Sequence, residues 1–104
     1  MKEIEKYEEI IFENIKHIDD NGVEYWEARE LQLVLEYKEW RKFNNVINKA
    51  IIACLNSNYR VDDHFAKVGK MVQIGSGAKR IQDDYKLLRY ACYLIVHNSN
   101  TYFI

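Results

Sequence analysis

Residues 25–56 carry the pattern that most constrains the fold of this chain: two helices separated by a tight break. In the first helix, apolar residues recur at three- and four-residue spacing, at Ala28, Leu31, Val34 and Leu35. The pattern restarts near residue 39 as a longer amphipathic helix, with apolar positions at Trp40, Phe43, Ile47, Ala50, Ile51 and Cys54. Small DNA-binding domains present a recognition helix in this way, so the sequence predicts a helix-turn-helix-like element.

Length and composition predict one small domain over residues 1–104. The chain has 104 residues, of which 48% are hydrophobic, with no proline and four glycines, so no linker divides it. No segment approaches the roughly twenty uncharged apolar residues that cross a bilayer, so we expect no membrane association. The N-terminus is acidic and lacks a signal-peptide pattern, which predicts a cytoplasmic protein.

The two ends of the chain are predicted to be helical. Residues 2–17 carry apolar side chains at helical spacing, namely Ile4, Tyr7, Ile11 and Ile15, with Ile18 following. Residues 19–22 then stop the element, and residues 23–26 form a short extended run. A final helix is predicted over residues 85–97, and its density of apolar residues requires that it be largely buried.

A glycine-containing loop lies between two segments rich in strand-forming residues. Residues 70–74 precede Gly75-Ser76-Gly77, and residues 78–83 follow it, which favours a β-hairpin with a cationic tip. A helix over the first of these segments fits the sequence nearly as well. The predicted fold class is therefore α+β: a small, mostly helical domain with one or two short β-hairpins packed on the last helix.

Charge is distributed unevenly along a chain whose net charge is −1. Residues 1–36 carry eleven acidic and four basic residues, whereas residues 37–104 carry eleven basic and five acidic ones. Such asymmetry can place a basic face on a nearly neutral protein, and a phosphate backbone is attracted to a face of that kind. The alternative is that both parts simply have solvated surfaces.

The longer helix has a basic and amide-rich face opposite its apolar stripe. This face comprises Arg41, Lys42, Asn45, Asn48 and Lys49, with Lys38 just before the helix. Amides and cations on one exposed face are the side chains that hydrogen-bond base edges and phosphates, although ordinary helix surfaces also carry them. In the hairpin loop, Lys79 and Arg80 follow the glycines and could contact a DNA backbone.

No pattern predicts catalysis, a metal or a cofactor. The loop lacks the glycine spacing and the Lys-Ser or Lys-Thr pair of a nucleotide-binding P-loop. The side chains that could bind zinc lack paired-ligand spacing: Cys54, Cys92, His17, His64 and His97. Both cysteines lie in apolar helical patterns, which favours buried structural thiols. We therefore expect a binding protein rather than an enzyme.

Two segments resemble the N-terminal region of the DNA-damage-inducible protein D family and, more distantly, the BRO-N domains of viral and phage proteins, including antirepressors. The first segment holds Tyr25-Trp26, Ala28-Arg29-Glu30-Leu31, Tyr37 and Trp40-Arg41. The second holds Val61-Asp62-Asp63-His64-Phe65, Val68-Gly69-Lys70-Met71, Ile74-Gly75-Ser76-Gly77-Ala78-Lys79-Arg80, Asp84-Tyr85-Lys86-Leu87 and Arg89-Tyr90-Ala91-Cys92-Tyr93-Leu94-Ile95.

The resemblance implies a small α+β domain that binds DNA in a damage-response (SOS) or mobile-element setting, without a cofactor. One position departs from the family pattern. Glu36 stands where the family usually has glycine after the leucine that closes the short helix. Glycine adopts a left-handed turn without steric cost, so we expect a looser turn or a continuing helix here.

The leading hypothesis is binding to double-stranded DNA. In it, Arg41, Asn45 and Asn48 face the bases, while Lys42, Lys49, Lys79 and Arg80 contact phosphates and Lys38 extends the same surface. The alternative is an antirepressor-like protein-interaction module that captures a regulator or a recombination protein. The apolar run Tyr102-Phe103-Ile104 and the acidic first helix motivate this alternative, and the same run could mediate a homodimer.

Overall fold

The structure, a computed structural model, describes residues 11–99. Residues 11–14 are helical. The elements that follow are β1 His17–Ile18, β2 Glu24–Glu27, α1 Ala28–Val34, α2 Trp40–Asn56, α3 Val61–His64, β3 Phe65–Ile74, β4 Ala78–Leu87 and α4 Arg89–Asn98. This arrangement confirms the predicted α+β class, and both α1 and α2 lie where the apolar periodicity predicts them. Within residues 11–99, no helix combines the length and the apolar character that crossing a bilayer requires.

The four strands form one antiparallel sheet in the order β1-β2-β4-β3. β1 and β2 form a short hairpin in which His17 opposes Tyr25. The Asp19 carboxylate closes its turn by accepting the backbone N–H groups of Asn21 at 2.8 Å and Val23 at 2.9 Å. Aspartate favours such turns because its short side chain reaches the backbone two residues ahead.

β3 and β4 form a second and much longer hairpin. Its register runs from Phe65 opposite Leu87 to Ile74 opposite Ala78, with ten residues in each strand. β2 pairs with β4 only at its base, where Trp26 opposes Leu87. The distal part, residues 70–82, contains no buried residue, and we call it the β arm. The predicted β-hairpin is thus confirmed, and the alternative of a helix over residues 70–74 was wrong. The hairpin is longer than the sequence indicates.

The core lies between α2, α4 and the base of the long hairpin. Its fully buried large side chains include Trp26, Leu31, Phe43, Ile47, Leu87 and Ile95. Each such side chain contributes roughly 1.5–3 kcal/mol by leaving water. Cys54 and Cys92 are also buried, as predicted, and burial raises the pKa of both thiols, which suits inert packing groups.

α1 ends in a tight turn at Glu36, the position at which we expected a looser turn or a continuing helix. Glu36 adopts a left-handed conformation with φ of 62°, and its N–H bonds to the Leu33 carbonyl at 3.1 Å. The N–H of Tyr37 bonds to the Gln32 carbonyl at 3.0 Å, which completes a Schellman motif. The expectation of a looser turn or a continuing helix at Glu36 was therefore wrong, because these two bonds hold the turn despite the side chain.

Two predicted helix boundaries also need correction. The last helix begins at Arg89 rather than at residue 85, because Leu87 belongs to β4 and enters the core opposite Phe65. The predicted helix of residues 2–17 lies mostly outside the described residues. Its described end gives way to β1 at His17, so Ile18 is exposed rather than part of an inward stripe.

Candidate nucleic-acid interface

One group of basic side chains is held by acidic residues from the first third of the chain. Arg89 donates to Glu13 at 2.8 Å and to Glu24 at 3.1 Å, and Lys86 contacts Asp19 at 3.1 Å. Lys70 pairs with Glu27 and with the buried Asp84. We call this set the ion-pair network; its members are Glu13, Lys16, Asp19, Glu24, Glu27, Lys70, Asp84, Lys86 and Arg89.

Three carboxylates of this network, those of Glu13, Asp19 and Glu24, have lowered pKa values. A hydrogen bond from Arg89 is the main cause that lowers the pKa of Glu13, and Lys16 followed by Arg89 lowers that of Glu24. The same contacts raise the pKa of Arg89. The Arg89 guanidinium also lies 5.0 Å from the ring centroid of buried Trp26. Arg89 is therefore a structural side chain, occupied by the fold.

A second group of basic side chains forms no ion pair with any other residue of the described range 11–99. Its members are Lys38, Arg41, Lys49, Arg60, Lys67, Lys79 and Arg80. This group contains all the cations predicted from sequence to contact DNA except Lys42. Lys42 contacts Glu39 at 3.2 Å, with both side chains more than half exposed, and such a pair contributes little in water.

The predicted reading face of α2 is exposed and continuous. Arg41, Asn45 and Asn48 follow one another at four- and three-residue steps on the side opposite buried Phe43 and Ile47. Lys42 and Lys49 flank this stripe and are exposed as well. Further along the helix, the same stripe becomes apolar at Ile52 and Leu55, which are 57% and 56% exposed.

Acidic side chains lie beside the cations at the beginning of α2. An open depression of about 510 Å³ is lined by Glu36, Tyr37, Lys38, Glu39 and Lys42. Glu36 and Glu39 therefore reduce the positive potential that Lys38 and Lys42 create. The depression is shallow and open to solvent, so it fits a surface contact better than an enclosed small ligand.

Arg29 joins the beginning of α2 to the long hairpin. Its guanidinium lies 3.8 Å from the centroid of the Trp40 ring, and its Nε donates to the Asp83 carbonyl at 2.9 Å. Its backbone N–H donates to Asp84 Oδ1 at 3.0 Å, and the N–H of Tyr85 donates to the same oxygen at 2.7 Å. The cation–π contact and these hydrogen bonds hold α1, α2 and β4 together at one place.

Arg80 lies close enough to Arg29 for the like charges of the two side chains to oppose each other. The pKa of Arg29 is lowered mainly by burial and further by the positive charge of Arg80, while Asp84 and Asp83 act in the opposite direction. The β arm and the beginning of α2 are thus neighbours through Arg29. Lys79 lies on the other face of the ribbon from Arg80, because successive residues of a strand alternate between faces.

The sequence analysis missed Arg29 and gave Trp40 only as an apolar position of the longer helix. Arg29 belongs to the Ala28-Arg29-Glu30-Leu31 motif, which was the one signal that could have singled it out. The Tyr102-Phe103-Ile104 run that motivated a protein-partner hypothesis lies outside the described residues.

Three potential metal ligands meet at the edge of the sheet. Donor atoms of His17, Glu27 and Glu30 lie within 4.8 Å of one another. His17 Nε2 is 2.6 Å from Glu30 Oε1, and Glu27 pairs with Lys70. Hydrogen bonding and ion pairing account for this arrangement. The sequence analysis, which considered only cysteine and histidine spacing, missed the cluster.

Comparison with known proteins identifies the family. The model of the BRO family, N-terminal domain, matches residues 14–102. DNA damage-inducible protein D of Escherichia coli strain K12 is 51% identical over 89 residues, which cover 86% of this chain and 32% of that protein. The chain thus spans about a third of the length of this relative. No solved structure matches the chain. The chain belongs to the BRO family and carries its N-terminal domain, as the resemblance in its sequence indicated.

Proposed function

We propose that this chain binds double-stranded DNA, without catalysis, through the exposed face of α2 together with the β arm. The observation that carries the proposal is the division of its cations. Lys38, Arg41, Lys49, Lys79 and Arg80 have no ion-pair partner among residues 11–99, whereas the ion-pair network neutralises Lys70, Lys86 and Arg89. Unpaired, exposed cations are those that can release counterions from a phosphate backbone.

The geometry of α2 supports a reading role for its first half. Arg41, Asn45 and Asn48 form one stripe, and arginine and asparagine can each form paired hydrogen bonds with base edges in the major groove. Lys42 and Lys49 flank the stripe, where phosphates line a groove. We assign to the β arm the role of a wing that contacts the backbone through Lys79 and Arg80.

The family relationship supports a setting for this activity. The Escherichia coli relative is named for its induction by DNA damage. We propose that this chain acts in a damage response or on mobile elements. The matched part covers only a third of the relative, so activities of the whole relative are not transferred.

The test is a salt titration of binding to a fluorescent duplex, followed by anisotropy. For each phosphate contact, the plot of log affinity against log salt loses roughly 0.9 units of slope. We therefore expect Lys79→Ala/Arg80→Ala to flatten the slope by about two units, and Lys42→Ala to add up to one more. A matched control is Lys16→Ala/Lys86→Ala, which removes the same charge from the ion-pair network and should leave the slope unchanged.

Two results contradict the proposal. One is the absence of duplex binding by the wild type even at low salt. The other is an equal loss of slope in both double variants, which would mean that only net charge matters. Thermal unfolding of each variant verifies that the comparison is made between folded proteins.

A specific observation favours a second function, that of an antirepressor-like protein-interaction module. Ile52 and Leu55 are adjacent, apolar and exposed on the second half of α2. Apolar patches of this kind mark sites for protein partners or for a second copy of the chain. Light scattering after size exclusion tests the homodimer: a dimer that Ile52→Ser/Leu55→Ser converts to a monomer supports it, and a wild-type monomer contradicts it.

A further inference from the structure

Two apolar side chains are exposed in the middle of the β arm. Met71 and Ile81 are directly opposed in the register of β3 and β4, so both lie on the same face of the ribbon. Met71 is 63% exposed and Ile81 is 67% exposed. β2 pairs with β4 only at the base of the hairpin, so no third strand continues the sheet beside this pair within residues 11–99.

Gly69 determines where the side chain of Ile81 lies. A Cβ atom placed on Gly69 would lie only 2.7 Å from Ile81 Cγ2, so the side chain of Ile81 lies across the backbone at Gly69. Any larger residue there would displace it. Ile81 is therefore seated on its own ribbon rather than extended at random into solvent.

The charge of the β arm selects the kind of partner that this pair fits. Residues 70–82 contain no acidic residue, and their cations Lys79 and Arg80 have no ion-pair partner among residues 11–99, whereas Lys70 is paired with Glu27 and Asp84. Lys79 stands on the same face as the apolar pair, two residue pairs further towards the tip, and Arg80 stands on the opposite face. An apolar pair bordered by cations complements a polyanion that has apolar layers inside it, and duplex DNA has that composition.

We propose that Met71 and Ile81 form an apolar wedge that inserts between base pairs of duplex DNA and bends it. Isoleucine and methionine are among the side chains that other proteins insert between base steps, which unstacks the bases and kinks the helix. Lys79 and Arg80 hold the flanking phosphates on the two faces of the ribbon. This inference rests on the proposed DNA binding and adds a deformation of the duplex to it.

The experiment uses a short duplex with a fluorescence donor at one end and an acceptor at the other. Wild-type protein is expected to raise energy transfer as the ends approach each other. Met71→Ser/Ile81→Ser should abolish this rise and weaken binding about tenfold, because the unstacked step loses its apolar contact. The salt slope should stay at its wild-type value, because no cation has been removed.

A matched control separates the wedge from general surface apolarity. Ile18→Ser/Leu33→Ser also replaces two exposed apolar residues, which are 56% and 74% exposed and lie outside both the β arm and α2. This variant should bend and bind DNA as the wild type does. All four positions are exposed, so folding should survive, and thermal unfolding checks it.

The outcomes separate the two proposals. If the Met71/Ile81 variant binds and bends the duplex as the wild type does, the wedge is overturned and DNA binding stands. The wedge is equally overturned, and DNA binding equally stands, if wild-type protein binds without bending. If the wild type fails to bind any duplex, the proposed function fails and the wedge with it. If the variant instead converts a wild-type dimer into a monomer, the pair is a subunit contact and the wedge is overturned.

Discussion

The ion-pair network and the surface formed by α2 and the β arm use the same kinds of side chain in opposite ways. In the network, Arg89 and Lys86 are held by acidic residues from the first third of the chain. On the other surface, Arg41 and Arg80 have no such partner among residues 11–99. A cation can thus stabilise the fold or remain available to a ligand, and its position decides which.

This difference teaches how a chain with a net charge of −1 can present a basic surface. The acidic residues of the N-terminal third do more than lower the net charge of the chain. Several of their carboxylates form ion pairs with particular cations at the edge of the sheet. Cations on α2 and at the tip of the hairpin lie on other elements, and the fold leaves most of them unpaired within residues 11–99. Local pairing, and not the total charge, determines the field that DNA would encounter.

The largest effect is expected where the two regions meet, at Asp84. Its carboxylate is 1% exposed, contacts Lys70 and accepts the N–H groups of Arg29 and Tyr85. Asp84→Ala should lower the free energy of unfolding by about 3 kcal/mol, because a half-buried ammonium partner and two N–H groups lose their acceptor. Urea denaturation measures this, with exposed Asp83→Ala as control. Equal losses in the two variants would contradict the assigned role of Asp84.

Arg89 and Arg80 provide the sharpest contrast between the regions. Arg89→Ala should lower the free energy of unfolding by about 1–2 kcal/mol, because it removes packing on Trp26 and a paired guanidinium. Arg80→Ala should change it by less than about 0.5 kcal/mol. DNA affinity should show the reverse order. The contrast between the two regions is contradicted if Arg80→Ala destabilises the protein as much as Arg89→Ala does. It is also contradicted if Arg89→Ala, and not Arg80→Ala, removes a phosphate contact.

Glu36 combines a backbone cost with an acidic charge beside the predicted DNA surface. Glu36→Gly should raise the free energy of unfolding by about 0.5–1 kcal/mol, because glycine adopts the left-handed conformation freely. It should also strengthen duplex binding at low salt, because it removes a carboxylate near Lys38. Asn58, with φ of 64° at the end of α2, gives the matched control. Asn58→Gly should stabilise less, since asparagine already tolerates this conformation, and an equal gain would contradict the account.

The smallest effect concerns pH. The pKa values of Glu13, Asp19 and Glu24 are lowered in the folded protein. Their contribution is therefore complete above the unfolded pKa values and is lost as pH falls through the lower folded ones. Stability should decline from about pH 5 downwards. In Arg89→Ala, Glu13 and Glu24 lose a shared partner, so the decline should be shallower; an unchanged profile from denaturation at several pH values would contradict the network.

The sequence was sufficient to predict α1 and α2, because apolar residues recur at helical spacing on their buried faces and polar residues on their exposed faces. It was not sufficient for the length of the hairpin. The β arm buries neither face, so Met71 and Ile81 appear in the sequence without the alternation that marks a half-buried strand. The prediction of where the last helix begins was wrong for a related reason. Leu87 and Leu88 are both apolar, and an apolar pair fits either the end of a strand or a helix.

The candidate site was predictable only as a set of residue types. The sequence selected cations and amides on α2 and in the hairpin, and the structure places all eight of the selected side chains at the surface. The sequence could not show which cations would be paired, because the partners are far apart along the chain. Arg89 and Glu13 are separated by 76 residues, and Arg29 and Asp84 by 55. Contacts over such separations depend on the completed sheet. The DNA contacts themselves stay predictions.

The most direct test of the central claim is a titration of the isotope-labelled chain with duplex DNA, followed by amide chemical shifts. The account predicts salt-sensitive shifts at residues 38–49 and 70–82, with little change at Glu13, Glu24 and Arg89. Shifts concentrated on the ion-pair network, with the α2 face and the β arm unchanged, would contradict it.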